Sequence, residues 1–287
     1  MPRSAALVTD STSLDASLAD RLGAVVVPLK VVIGATSYDE GGDATSAHVV
    51  EALKRHIPIS TSRPAPGAFL RAYEAASRCG AEAVVSVHLS SEVSGTYESA
   101  ELAARDASLP VHLVDSRQLG MGTGFALQSA AQTLDAGGSA AEAADVARDR
   151  AEATTVLFYV DTLEYLRRGG RVGVTAALLG SALAVKPLLH VADGRIEPLE
   201  RVRTSARAVA RLEARAVMAA ADVDFDVAVS HLDNAARADD LASRLRDRLP
   251  HLEDLVVNEA GAVIGAHVGP GMLAVVVSPR STRAQLG

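Results

Sequence analysis

Val84, Val85 and Val87 form an apolar run that turns abruptly polar, with Ser90, Ser91, Ser94, Gly95 and Thr96 following directly. Tyr97 to Arg105, rich in Ala and Glu, then reads as a helix. Two other apolar runs end the same way. Ala5 to Thr9 meets Asp10-Ser11-Thr12, and Val111 to Val114 meets Asp115-Ser116. Repetition of strand, polar turn and helix predicts a parallel α/β sheet, in which such turns share the carboxyl edge where ligands bind. A hydroxyl-rich turn opening a helix offers N–H groups and the positive end of the helix dipole to an anion. No Lys or Arg lies between Val84 and Ala104, so this neutral donor set suits a carboxylate better than a phosphate. The same serines serve equally as an ordinary N-cap.

The rest of the chain sets the frame for that edge. Its 287 residues make one large domain or two ordinary ones, and 48% hydrophobic residues can bury a sizeable core. The texture changes near Thr154. We expect an N-terminal three-layer α/β/α domain with a parallel sheet over residues 1–154 and a C-terminal two-layer mixed α/β domain over residues 155–287. In the first, Leu14, Leu18 and Leu22 mark a helix, Ala24 to Ile33 is strand broken at Pro28, and Tyr38 to Asp43 reads as a loop. In the second, Asp193-Gly194 reads as a two-residue hairpin turn and Ala176 to Ala184 as a helix.

Charge and composition exclude several function classes. A net charge of −7 argues against nucleic acid and anionic membranes as main partners. The single cysteine, Cys79, excludes an internal disulfide framework and a Cys-rich metal site, and the eight His residues lack metal-ligand spacing. With no signal peptide and no apolar run long enough to span a bilayer, the expected location is the cytoplasm.

Candidate chemistry is sparse. A Walker-type phosphate loop and a G-x-S-x-G elbow are absent, and Gly120, Gly122 and Gly124 miss the dinucleotide spacing. Ser94, His267 and an Asp admit a serine-dependent hydrolase or transferase; a binder of a small phosphorylated metabolite is a third reading. His267 begins HVGPG, a turn that fixes the backbone beside a titratable ring able to meet a carboxylate. Arg167, Arg168 and Arg171 form a basic loop that is either a solvated turn or a docking or anion patch, which Arg201 and Arg203 could join.

Taken in order, Asp10-Ser11-Thr12, TSRP at Thr61 to Pro64, SSEVSGTYESA at Ser90 to Ala100, VDS at Val114 to Ser116, YLRRGGRVG at Tyr165 to Gly173, VKPLL at Val185 to Leu189 and HVGPG at His267 to Gly271 resemble the DegV family of fatty-acid-binding proteins. That family includes the fatty-acid-carrying subunit of bacterial fatty acid kinase. The resemblance spans nearly the whole chain. It implies two α/β domains with a buried long-chain fatty acid, the carboxyl group held at the domain interface, no catalytic residue, no cofactor and no metal. Carried onto this chain, the carboxylate partners would be Thr61 or Ser62, Ser94 with the neighbouring Gly95 amide, and His267. A separate kinase subunit would phosphorylate the bound acid for phospholipid synthesis, with Arg171 and Arg203 suited to docking or phosphate handling. Arg63 departs from the family's usual Gln and leaves the head-group geometry open. A sixteen-carbon acid buries roughly fourteen methylenes, worth about 11 kcal/mol gross at about 0.8 kcal/mol each. The tail should therefore supply most of the affinity and the polar donors should set position.

Overall fold

The computed structural model describes residues 3–14, 16–172, 186–220 and 222–280. In chain order the first elements are β1 (Ala5–Asp10), α1 (Ala16–Leu22), β2 (Ala24–Val27), β3 (Lys30–Ile33), β4 (Thr36–Asp39), α2 (Ser46–Lys54), β5 (Ile59–Ser62) and α3 (Pro66–Arg78). There follow β6 (Ala83–His88), α4 (Thr96–Asp106), β7 (Val111–Asp115), α5 (Met121–Asp135), α6 (Ala140–Ala153), β8 (Thr155–Tyr159) and α7 (Glu164–Arg168). The chain continues as β9 (Lys186–Ala192), β10 (Arg195–Val202), α8 (Ser205–Ala219), β11 (Phe225–His231), α9 (Ala235–Arg248), β12 (Leu252–Glu259), α10 (Ala262–Val268) and β13 (Leu273–Pro279). The expected helix over Ala176 to Ala184 lies outside the described residues.

Contacts divide the chain into two units. Of the described residues, those up to Lys30 and those of Ser62–Ala153 form one; those of Val31–Thr61 and from Thr154 on form the other. Residues 31–61 thus fall in the second unit, whereas a single cut near Thr154 would place them in the first.

The first unit is built on a parallel sheet of order β2-β1-β6-β7. Alternation sends Val84, Ser86 and His88 of β6 to one face, where Val84 packs with Phe69, Ala72, Tyr73 and Ala76 of α3 and with Ala100 and Ala103 of α4. The α3 residues recur with the helical period, so one stripe buries both its large aromatics. The Ala-rich pair α5 and α6 covers the opposite face and completes three layers. Gly124 is needed there, because a Cβ would lie 2.6 Å from the Ser13 carbonyl. Gly124 therefore serves close packing, while Gly120 is the left-handed N-cap of α5 (φ 55°).

The second unit carries a mixed sheet of order β10-β9-β8-β13-β11-β12. Among its pairs β11 and β12 run parallel, while β13 is antiparallel to both β8 and β11. Leu157, Tyr159, Val227, Val229, Leu273 and Val275 form one core with Leu212 of α8 and Leu241 of α9. Asp193 (φ 49°) and Gly194 (φ 80°) join β9 to β10 in the two-residue turn that left-handed backbone demands. Strands β4 and β5 correct the sequence reading, which gave no strand at Ile59 and began its loop at Tyr38, whereas Tyr38 and Asp39 close β4 and the turn occupies residues 41–43. With β3 they form a small sheet of order β4-β3-β5. Both are short, polar and largely exposed, so neither shows an apolar alternation to read.

Candidate functional site

Strand alternation on β5 turns Thr61 inward and leaves Ser62 exposed. Thr61 Oγ1 lies 2.8 Å from His267 Nε2. His267 stands in the last turn of α10 rather than in the glycine turn that follows. Helix α10 packs against α2 and α7, and its Gly265 lets Leu232 approach closely. Two glycines seat the histidine. A Cβ at Gly169 would overlap His267 Nδ1 and lie 2.9 Å from Cε1, so this backbone is a wall against the ring. Gly269 combines φ 74° with a position where any Cβ would overlap the Tyr165 ring. The HVGPG sequence therefore ends the helix against the Tyr165 ring.

These residues line a cleft of about 150 Å³, walled by Leu53, Ile59, Thr61, Tyr165, Arg171 and His267. Pockets that enclose a whole small ligand hold about 300–1,000 Å³, so this space fits a head group rather than a long chain. Burial, and then the charge of Arg171, push the His267 pKa down to about 4. At neutral pH the ring is uncharged, with one donor and one acceptor nitrogen. Arg171 is half-buried and donates to the Gly169 carbonyl, which fixes its guanidinium at the cleft. Arg168 pairs with Glu164 one turn earlier. Arg203 is exposed between β10 and α8 and is not among the residues lining the cleft.

In the first unit, Ser94 Oγ lies 2.8 Å from Thr96 Oγ1, and the Ser94 amide donates to the Ser90 carbonyl. The N-cap of α4 is Gly95, with no side-chain capping bond, so the serine-cap alternative is not realised. Arg63 donates to the Gly95 carbonyl at 3.1 Å and pairs with Glu98 at 3.0 Å. A Cβ at Gly95 would overlap Arg63 Nη1 and lie 2.6 Å from Glu98 Oε2. Arg63 thus lies against the first turn of α4, its charge paired with a carboxylate of that turn.

The acidic residues on the sheet's carboxyl edge are used internally, which the sequence reading missed. Asp10 is fully buried and accepts from the Thr12 hydroxyl at 2.6 Å, the Thr12 amide at 3.1 Å and the Leu89 amide at 3.0 Å. His88 Nδ1 is 3.2 Å from it, and Ser86 links His88 Nε2 to the Tyr73 hydroxyl at 2.7 and 3.0 Å. Burial works against the Asp10 carboxylate, but the His88, Thr12 and Leu89 bonds outweigh it and hold its pKa below the usual range. Tyr73 is pushed up to about 12, chiefly by burial. Asp115 likewise accepts from the Ser91 hydroxyl and amide and from the Arg117 amide. These bonds stitch the ends of β1, β6 and β7 together. The legible signal was a short Asp followed at once by hydroxyl residues, the pattern of a self-bonded turn. Among the described residues, no group of three or more His, Cys, Asp or Glu is placed to hold a metal ion, and no helix is long and apolar enough to cross a membrane.

Comparison with known proteins matches residues 4–280 to a family model described as "Uncharacterised protein, DegV family". A DegV domain-containing protein of Streptomyces coelicolor is 51% identical over 98% of this chain and 100% of its own. One of Halalkalibacterium halodurans is 36% identical over 93% and 96%. Among solved structures, a fatty-acid-binding DegV family protein from Thermus thermophilus superposes with a TM-score of 0.87 at 32% identity, covering 96% of this chain and 99% of that one. DegV of Bacillus subtilis, described as a fatty acid binding protein, gives 0.88 at 30% identity with the same coverage.

Proposed function

Since the chain belongs to the DegV family, we propose that it binds a long-chain fatty acid and presents the carboxyl group to a separate kinase that forms an acyl phosphate for phospholipid synthesis. The observation that carries this reading is the Thr61–His267 pair in a cleft of head-group size. It is supported by the two solved relatives described as fatty-acid-binding. A neutral imidazole that donates Nε2–H to Thr61 leaves the threonine hydroxyl proton for the ligand carboxylate. The pair then acts as one oriented donor, strengthened because its acceptor is charged. Ser62, Ser94 and the Gly95 amide are assigned the same role from the resemblance alone. Arg171 and Arg203 are assigned to kinase docking or phosphate handling, with Arg171 held at the cleft by the Gly169 carbonyl. The protein itself acts as carrier and not as enzyme. The test compares Thr61→Ala, Ser94→Ala and His267→Ala with the parent, measuring retained fatty acid and phosphorylation by a fatty acid kinase. Phosphorylation should fall further than retention. Variants that lose all lipid would overturn this division between tail and head group.

A further inference from the structure

Helix α10 has seven residues, too few to hold its own ends firmly, yet it carries His267. Its N-terminus is fastened from far away in sequence. Glu40, just beyond β4 and only 7% exposed, accepts the Val263 amide at 2.7 Å across 223 residues. The Cα of Gly261 lies against the same carboxylate: a Cβ there would overlap Glu40 Oε1 and lie 3.2 Å from Cδ. Ser46, in the first turn of α2, donates to the Ala260 carbonyl at 2.6 Å. Val263 is one helical turn before His267, on an element whose other end is set by Gly269 against Tyr165.

We infer that Glu40 is a positioning residue for His267: its carboxylate caps α10 and fixes the helix rotation that brings the imidazole onto Thr61. This rests on the carboxylate-binding reading of His267 given above. No side chain within α10 can do the same work, because Gly261 stands at the N-cap and no side-chain capping bond is made. Glu40 therefore supplies from the β4 end what an N-cap residue supplies locally.

Three variants test this. Glu40→Ala removes the acceptor. Glu40→Gln keeps an oxygen able to accept the Val263 N–H. Gly261→Ala keeps the carboxylate but pushes it off the amide, and at φ −62° alanine is tolerated by the backbone. The first readout is the pair of His267 ring-nitrogen resonances by 15N NMR at pH 7.5. The second is the carboxyl 13C signal of bound, carboxyl-labelled oleate. In the parent we expect one neutral tautomer with well-separated ring nitrogens and one sharp carboxyl line. Glu40→Ala and Gly261→Ala should both draw the ring nitrogens together and broaden the carboxyl line. The correctly placed ring should lose roughly fivefold in population, what an average helix cap is worth. Glu40→Gln should restore the parent spectrum. Unchanged ring nitrogens in Gly261→Ala, or a Glu40→Gln spectrum as disturbed as that of Glu40→Ala, would overturn the inference. Ring nitrogens that shift as expected while the oleate line stays put would instead count against His267 as a carboxylate partner and leave the positioning role standing.

Discussion

Replacing Gly169 with alanine adds one methyl group, and the geometry gives that group nowhere to go. Its carbon would overlap His267 Nδ1 and lie 2.9 Å from Cε1. To recover an ordinary contact the ring must retreat by about 1 Å. A shift of that size, whether it stretches or compresses the contact, is incompatible with the 2.8 Å bond to Thr61. The backbone itself accepts alanine, since Gly169 sits at φ −73°, ψ −12°. Crowding of about 1–3 kcal/mol is thus offset by about 0.4–1 kcal/mol from a stiffer unfolded chain, so the fold should lose up to about 2.5 kcal/mol. Loss of one charge-assisted head-group bond is worth about 1.5–3 kcal/mol, or about ten- to a hundredfold in Kd, against about 11 kcal/mol from the tail. Fatty acid should therefore still bind, more weakly. The sharper readout is an NMR titration of His267. The parent should titrate at about 4, held there by burial and then by Arg171. In the variant the displaced ring should titrate nearer the ordinary value of about 6.5. A variant that still titrates near 4 and binds like the parent would show that the loop yields instead of the histidine, and the packing argument would fail.

Four further outcomes follow from the same geometry. The depressed His267 pKa means that the unfolded chain takes up a proton where the folded one does not, so stability should fall by about 3 kcal/mol as pH drops from about 6.5 to about 4 and stay intact above that window; urea unfolding of the parent against His267→Gln, which should lack that slope, checks it. Gly269→Ala meets both a left-handed backbone and the Tyr165 ring, so chemical denaturation should show a loss of about 3 kcal/mol or more. Asp10→Ala strands the Thr12, Leu89 and His88 groups that bond it in a fully buried site and should cost about 3–5 kcal/mol by the same assay, far more than a surface carboxylate. Arg63→Gln removes an ion pair whose side chains are 54% and 55% exposed, so thermal unfolding should show a change within about 1 kcal/mol.

The parallel half of the fold was legible because its signals are local. Strand, hydroxyl turn and helix repeat along the sequence, and the Asp193-Gly194 turn names its own geometry. What escaped were features set by distant partners. Strands β4 and β5 are short and exposed, so no alternation marks them, although β5 delivers Thr61 to His267. Asp10 looked like a ligand-facing acid, and its internal bonds to Leu89 and His88 appear only once β1 and β6 are paired. Gly169 and Gly269 stood within recognisable motifs, yet the reason for them, the rings of His267 and Tyr165, lies about a hundred residues away. Thr61 was assigned from the family resemblance and His267 also from the HVGPG turn; the structure brings their side chains within 2.8 Å of each other.

In the proposed function a hydrocarbon tail holds the ligand while Thr61 and His267 orient its acid group. Solvent extraction of the natively purified protein, followed by quantitative mass spectrometry, tests it most directly. A long-chain fatty acid at close to one equivalent per chain is the expected result. Protein that arrives empty and takes up no added oleate would contradict the account.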